Sequence, residues 1–250
     1  MTSKISGVII TYNEVNNIEQ CILSIKDVVD EIIILDSDST DGTLEICRKY
    51  NVIIVSQAFL GFGKQKQLAA SLAKNNWVLS IDADEVLSTT LQTSLKEIDL
   101  ENTSYSGFFI KRNHVFFKKI FAYGKENNQS ILRLFNKEKG NFNDVSVHEK
   151  VIVTGTTSIL QGTILHNSYS SVNHYFDKLN NYTEIASREL FKQKRKKSLI
   201  LVFFSTPFIF FKNYIVDLNI LNGTEGLLWS IFNTWYRIVK YVKLWEKHKK

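Results

Sequence analysis

The chain has 250 residues, 44% hydrophobic and 22% charged, the usage of an ordinary globular protein, so global disorder is excluded and one α/β domain with an appendage is suited to the length. The net charge of +6 is uneven: residues 1–185 carry 18 Lys+Arg against 21 Asp+Glu, or −3, while residues 186–250 carry 13 against 4, or +9. That asymmetry excludes a uniformly basic nucleic-acid binder and points to a near-neutral catalytic body with a tail that prefers an anionic surface.

No secretory h-region opens the chain, because MTSKISGVII runs straight into a strand pattern. Ile5 to Thr11 is a β-branched run bounded by the turn-formers Tyr12-Asn13-Glu14. Asn17 to Val29 sets Ile18, Ile22 and Ile25 at helical spacing. Glu31 to Leu35 is a second buried strand, followed by the polar cluster Asp36 to Gly42. Thr43 to Tyr50 reads as a helix, Val52 to Val55 as a strand, Gly63 to Asn75 as a helix, and Trp77 to Ile81 as a strand ending in Asp82-Ala83-Asp84-Glu85. Cys21 and Cys47 fall in predicted helices without a CxxC pair and read as two buried thiols of a reducing compartment. Short apolar strands alternating with helices predict a parallel sheet covered on both faces. Ligands of such sheets bind beyond the carboxyl ends of the strands, where every one of these polar clusters lies. Gly107 to Val153 is strand-rich and aromatic, a mixed-sheet extension of the same domain.

Asp82-x-Asp84 is the sharpest chemical feature. Two carboxylates just past a buried strand can meet at one point, and Mg²⁺ or Mn²⁺ takes such oxygen ligands together with substrate phosphates. The bland alternative is a solvated turn capping the next helix. Asp36, at the same edge, is suited to accept hydrogen bonds from a base or ribose; an Asx-turn is the alternative, which fits Asp38 and Asp41 better. Asp41 is the expected cap of the next helix. Arg133 is suited to hold a phosphate in bidentate fashion, or else is a surface residue of an alternating strand.

The motifs VIITYNE (Val8 to Glu14), EIIILDSDSTDGT (Glu31 to Thr43) and NNWVLSIDADE (Asn75 to Glu85) together resemble the family 2 glycosyltransferases of GT-A fold. GFGKQKQLAA, LRLF, VHEKV and the ILNG and YVKLWE stretches of the tail resemble the lipopolysaccharide-core β-1,4-glucosyltransferase group within it. The resemblance implies a Rossmann-like nucleotide-sugar-binding domain with a mixed central sheet over residues 1–175. It implies that Thr11, Asn13 and Glu14 line the nucleotide pocket, that Asp36 meets the uracil and ribose of a UDP-sugar, and that Asp84 binds the metal with Asp82 beside it. His166 would be a further metal ligand, as in some GT-A enzymes, though a lone histidine is more often structural. Family 2 enzymes of this fold invert the anomeric carbon in one displacement, so a carboxylate must take the acceptor's proton. Glu149 is the candidate, with Asp144 and Glu85 as alternatives. Relatives often have two adjacent aspartates where this chain has Asp36-Ser37, and an aromatic-proline-acid stretch where it has Lys125 to Gln129.

Residues 176–250 read as a helical, basic and apolar membrane-associating region. Leu199 to Phe211 is apolar for 13 residues, contains Pro207 and ends at Lys212, short of the ~20 residues of a spanning helix. Gly226 to Lys250 sets Leu227, Leu228, Ile231, Trp235, Ile238, Val239, Val242 and Trp245 on one broad face against a lysine-rich side, the pattern of a helix lying in a membrane interface. The alternative is a helix packed on the catalytic core. The expectation is a hexosyltransferase moving glucose from UDP-glucose to a lipid-linked saccharide, cytoplasmic and peripheral on the inner face of the cytoplasmic membrane, with no nucleic-acid partner. A nucleotidyltransferase, or a membrane-bound module that binds nucleotide or saccharide without catalysis, is the other reading; VIITYNE lacks the Gly and Lys of a phosphate loop.

Overall fold

The structure is a computed structural model and describes residues 4–144, 149–169 and 171–249. The chain forms two compact units, one of Met1–Asn113 with Asn128–Asn167, the other of His114–Asn127 with Ser168–Lys250.

The first unit follows the expected alternation: β1 (Ile5–Thr11), α1 (Ile18–Ile25), β2 (Glu31–Asp36), α2 (Thr43–Cys47), β3 (Ile53–Ser56), α3 (Phe62–Ser71) and β4 (Trp77–Asp82). Then come β5 (Glu85–Leu87), α4 (Thr89–Glu97), β6 (Tyr105–Phe116), β7 (Lys119–Ile120), β8 (Gln129–Asn136), β9 (Gly140–Phe142), β10 (Val151–Val153) and β11 (Thr156–Tyr169). The main sheet has the order β3-β2-β1-β4-β8-β6-β11-β5, with β7 pairing β6. Its first four strands are parallel, while β8 runs antiparallel to β4, and β5 antiparallel to β11. This is the mixed central sheet of an α/β fold, as the sequence implied.

Strand periodicity explains the two core layers. Ile5, Ile9, Ile32, Ile34, Trp77, Leu79 and Ile81 face one side and meet α1, Cys47 of α2 and α4. Val8, Ile33, Leu35 and Val78 face the other and meet Ala69, Ala70 and Ala73 of the α3 segment. Both cysteines are buried and unpaired. Burial pushes the Cys47 thiol up to about 11, and burial followed by the nearby Glu85, Asp84 and Asp82 pushes Cys21 well above the usual thiol range, so both stay protonated.

One short return decides where the acidic motif points. After Asp82 the chain does not enter a helix. It turns and forms β5, which pairs with β11 so that Leu165 opposes Val86 and His166 opposes Glu85. Ser88 then caps α4, accepting from the Leu91 amide, and also accepts from the Thr163 amide. Gly162 permits this close approach: its φ is +94° and a Cβ there would lie 2.3 Å from the Leu91 nitrogen.

The second unit holds α5 (Val172–Lys192), α6 (Leu199–Phe211) and α7 (Gly223–Lys247). The predicted boundary at 175/176 falls within α5. A cluster of Phe116, Phe121, Tyr175, Leu179 and Trp229 forms this unit's core, with Leu228, Phe232, Tyr236 and Val239 of α7 packed on it. Asn222 stitches the 119–127 segment to the start of α7: its Oδ1 accepts from the Ala122 and Tyr123 amides and its Nδ2 donates to the Tyr123 carbonyl. So α7 buries one face within its unit, and part of the broad apolar face read from the sequence is core. Ile231, Trp235, Val242 and Trp245 remain exposed. The helical run of α6 also continues past Lys212 as a π-helical turn, Lys212–Val216.

Gly162→Ala should therefore lower unfolding stability by about 1–3 kcal/mol, the cost of a side chain forced into a left-handed backbone against a neighbouring amide. Urea titration of the purified variant reads it, and a change within 0.5 kcal/mol, the usual scatter of a harmless surface substitution, would show that β11 and α4 are not so closely fitted.

Candidate active site

Backbone register brings the sequence-predicted residues to one edge. Thr11 ends β1 opposite Asp36 of β2, and Ile10 stands opposite Asp82 of β4. Thr11 is buried, and among the described residues its hydroxyl has no partner. Asn13, at φ 53°, ties this turn to the next: its amide donates to Ser39 Oγ and its Oδ1 accepts from the Thr40 amide. The Glu14 amide donates to Thr43 Oγ1, and Glu14 accepts at Oε2 from Asn17 Nδ2.

Asp36 is fully buried and accepts from the amide and hydroxyl of Ser39, three residues on, while the Asx-turn itself is made by Asp41, which accepts from the Thr43 amide two residues on. Asp38 has φ 63°, and Asp41 accepts from the Thr43 amide and hydroxyl and from the Val15 amide. Burial pushes the Asp41 carboxyl up, but these donors outweigh it and hold it below the usual range. Asp41 thus caps the start of α2 from one residue before Gly42, the left-handed N-cap.

The two carboxylates of the Asp82-Ala83-Asp84 motif have different surroundings. Asp84 Oδ1 lies 3.4 Å from His166 Nε2, brought there by the β5–β11 pairing. Asp82 instead faces cations. Its Oδ2 accepts from Arg133 Nη2 at 2.6 Å, and its Oδ1 lies 2.7 Å from Lys66 Nζ. Burial favours the protonated acid, yet Arg133 and then Lys66 hold the Asp82 carboxyl well below the usual carboxylate range. Arg133 is buried on β8 and also donates to Glu85 Oε1 at 2.6 Å. Burial disfavours its charge, but Asp82 and Glu85 push its pKa upward, so it stays a cation. Both contacts are made through Nη2, and the buried Nε has no partner among the described residues.

Glu149 is joined to this lattice through Lys66, whose Nζ lies 2.8 Å from Glu149 Oε1. Val147 and His148 of the same motif lie outside the described residues. Of the alternatives to Glu149, Glu85 is fully buried, accepts from Arg133 and from the Asp82 amide, and has no access to an acceptor. Asp144 is exposed, 3.8 Å from Lys64. The result is one alternating chain of charges: Arg112, Glu85, Arg133, Asp82, Lys66, Glu149.

Lys66 is the residue that motif reading missed. Only 4% of it is exposed, and it also lies 5.6 Å from the Phe142 ring. The signal was present: Lys66 heads the stripe Lys66, Ala69, Ala70, Ala73, the buried i, i+3, i+4, i+7 face of α3. Its neighbour Gln65, also buried, donates to Ser37 Oγ and the Gln57 carbonyl, fixing the helix against the Asp36 loop.

Asp84 and His166 have the chemistry of a half-built cation site. Among the described residues no three His, Cys, Asp or Glu side chains are grouped to hold a metal ion. A hard divalent cation usually takes one or two protein carboxylates and completes its shell with substrate phosphate and water, so this pair fits such an ion.

The sequence matches Glycosyl transferase family 2 over residues 6–152. It is 32% identical over 266 residues to the uncharacterized glycosyltransferase RC0292 of Rickettsia conorii, covering all of this chain and 93% of that protein. It is 26% identical over 254 residues to the lipopolysaccharide core biosynthesis glycosyltransferase LpsC of Rhizobium meliloti, with 98% and 93% of the two chains covered. Among solved structures, residues 1–349 of Staphylococcus aureus TarS with UDP align at 26% identity and a TM-score of 0.39, over 48% of this chain and 38% of that one. This chain belongs to glycosyltransferase family 2.

Replacing Arg133 with Met removes the cation shared by half-buried Asp82 and buried Glu85, which should cost about 3–5 kcal/mol at pH 7. Because the folded Asp82 carboxyl is held low, its contribution is full above the unfolded-chain value near 4 and is lost as pH falls through the lower folded value. The stability gap between wild type and variant should therefore hold from pH 7 to about 4 and shrink only below it, as read by urea melts; a gap that stays constant below pH 4 would mean that Arg133 acts through packing alone.

Proposed function

We propose that the chain is an inverting hexosyltransferase that moves glucose from UDP-glucose to a saccharide acceptor of lipopolysaccharide core or another cell-envelope glycan. The acceptor is lipid-linked, and the protein works at the cytoplasmic face of the cytoplasmic membrane. Family membership supports the reaction class, and the full-length similarity to LpsC supports the acceptor class. The observation that carries the chemistry is Lys66, whose single ammonium joins Glu149 to Asp82 at the carboxyl edge of the parallel strands.

Each residue has a part in this reading. The Thr11 hydroxyl, the Asn13 turn and Glu14 line the nucleotide pocket, and the Asp36 loop closes over the uracil and ribose. Asp84 and His166 hold Mg²⁺ or Mn²⁺, with Asp82 beside them, and the ion when bound neutralises charge that builds on the leaving diphosphate. Arg133 and Glu85 fix Asp82 in place. Lys66 orders Glu149 while the site awaits its substrates. As the acceptor oxygen bonds to the anomeric carbon and the bond to the diphosphate oxygen breaks, Glu149 takes the acceptor's proton. A single displacement of this kind inverts the anomeric configuration.

Transfer assays against a panel of UDP-, GDP- and dTDP-sugars test the donor; turnover of a GDP- or dTDP-sugar in preference to UDP-glucose would reject it. Asp84→Ala should abolish transfer and divalent-metal dependence, and activity surviving both this change and a chelator would remove the ion from the reaction. Glu149→Gln should lower kcat by ~10²–10⁴-fold with UDP-sugar affinity nearly unchanged, because the amide keeps the shape but takes no proton. A rate within a few-fold of wild type would move the base to Asp144.

A further inference from the structure

We infer that α6 lies in the plane of an anionic bilayer with a phenylalanine stripe in the acyl boundary, and that a lipid headgroup phosphate sits in a pocket between residues 196–198 and the end of α7. This rests on the membrane-surface reading above and names the surface that carries it.

The run Leu199–Val216 has 18 helical residues, a mean hydropathy of 1.8 and only 11% of its window buried. A helix so apolar is ordinarily covered on all sides. Here Ile200, Leu201, Phe204, Phe208 and Phe211 share one side, and Phe204 and Phe208 are 75% and 77% exposed. The following turn adds exposed Val216, Leu218, Ile220 and Leu221. A contiguous apolar surface of this kind marks a contact site.

The opposite side of α6 says how the helix lies. Val202 is buried, and Ser205 accepts at Oγ from Arg237 Nη1 of α7 at 2.9 Å. Eighteen residues reach about 27 Å, close to the ~30 Å of a hydrocarbon core, so length alone permits a span. A span would carry Arg237 and Lys212 into hydrocarbon, where each ion is costly. An in-plane helix puts the stripe in the acyl boundary and leaves Arg237 on the side turned from it.

Charge identifies the surface. Lys192, Lys194, Arg195, Lys196 and Lys197 are all exposed just before α6. There a pocket of about 330 Å³ is lined by Lys196, Lys197, Ser198, Leu244, Trp245 and His248, two lysines and a histidine with no carboxylate among them. Lys197 Nζ lies 4.9 Å over the Tyr241 ring, and Lys249 Nζ 5.2 Å over Trp245. An indole beside lysines at the edge of an apolar stripe matches the boundary between headgroup and acyl chain. The lysines and the Ser198 hydroxyl supply donors for a phosphate.

Sedimentation of the full-length protein with vesicles tests this, using phosphatidylcholine alone and phosphatidylcholine mixed with phosphatidylglycerol. Wild type should bind both, the anionic vesicles more tightly and less so at high salt. Phe204→Ser with Phe208→Ser should weaken binding to both by about 100-fold, since each buried phenylalanine is worth about tenfold or more. Lys196→Gln with Lys197→Gln should weaken binding to anionic vesicles by about fivefold per lysine and leave phosphatidylcholine binding unchanged. Circular dichroism and thermal melting check that the variants stay folded, as substitution of exposed side chains should allow. If wild type binds neither vesicle, the membrane reading falls together with the proposal. If wild type binds, but Trp235→Ser with Trp245→Ser abolishes binding while the phenylalanine pair has no effect, α7 is the inserting element and only the proposal falls. If the lysine pair leaves the anionic preference intact, there is no headgroup pocket. UDP-glucose turnover by the same preparation reports separately on the transferase reading.

Discussion

The site depends on an alternation of charge that is buried at its centre, at Glu85, Arg133 and Lys66. Arg112, Glu85, Arg133, Asp82, Lys66 and Glu149 follow one another with opposite sign, three acids against three bases. They come from β6, β5, β8, the end of β4, α3 and the residues before β10, so the lattice records the whole topology of the first unit. Buried ions are tolerated when they are paired and hydrogen-bonded, and removing one member leaves its neighbour stranded. Stability alone gives little reason to keep such a lattice, because hydrophobic residues of similar volume usually serve as well. What the lattice provides is position: an ionised Asp82 held by cations on both oxygens, and a carboxylate at Glu149 held by one ammonium.

Much of this was legible in sequence because it is local. Strand runs such as EIIIL and WVLSI, and the polar residues that end them, follow from period and turn chemistry within a few residues. The family motifs sit on those same local features. What was not legible depends on pairing at long range. The turn after Asp84 is polar and looks like a helix entry, yet it leads into β5, and only the pairing of β5 with β11, some 80 residues later, brings His166 beside Asp84. Lys66 was hidden for another reason. A lysine in a polar helix reads as surface, and its burial shows only when the alanine stripe behind it is counted. Glu85 is similar: it continues the inward parity of Ile81 and Ala83, and the acid finds its cation on a strand far along the chain.

Asp36 illustrates a subtler limit. Its place at the end of β2 was evident, but three aspartates within six residues compete for one loop; the sequence favours Asp38 and Asp41 for the Asx-turn, which Asp41 makes, and does not say what Asp36 accepts from. The fold resolves the competition by depth. Asp36 is the buried one, and a buried carboxylate must satisfy its oxygens nearby, so it takes Ser39. Asp38, with positive φ, carries the chain around, and Asp41 is left to organise Thr43 and Val15. The loop is thereby tied to Asn13 from the first strand, and its shape is set by the protein alone before any ligand arrives.

The second unit follows the opposite economy of charge. The first unit gathers ions inward and neutralises them pairwise; the second keeps its interior aromatic and leaves its cations outside. Phe116, Phe121, Tyr175 and Trp229 form a core that needs α7, so α7 serves first as a packing element. Only its remaining stripe, Ile231, Trp235, Val242 and Trp245, is available to a surface. That division explains why the most apolar helix is also the most exposed. One face of α7 is committed to the aromatic core, and Arg237 of α7 donates to Ser205 of α6. The Arg237–Ser205 contact thus engages one side of α6 and leaves its phenylalanine stripe exposed.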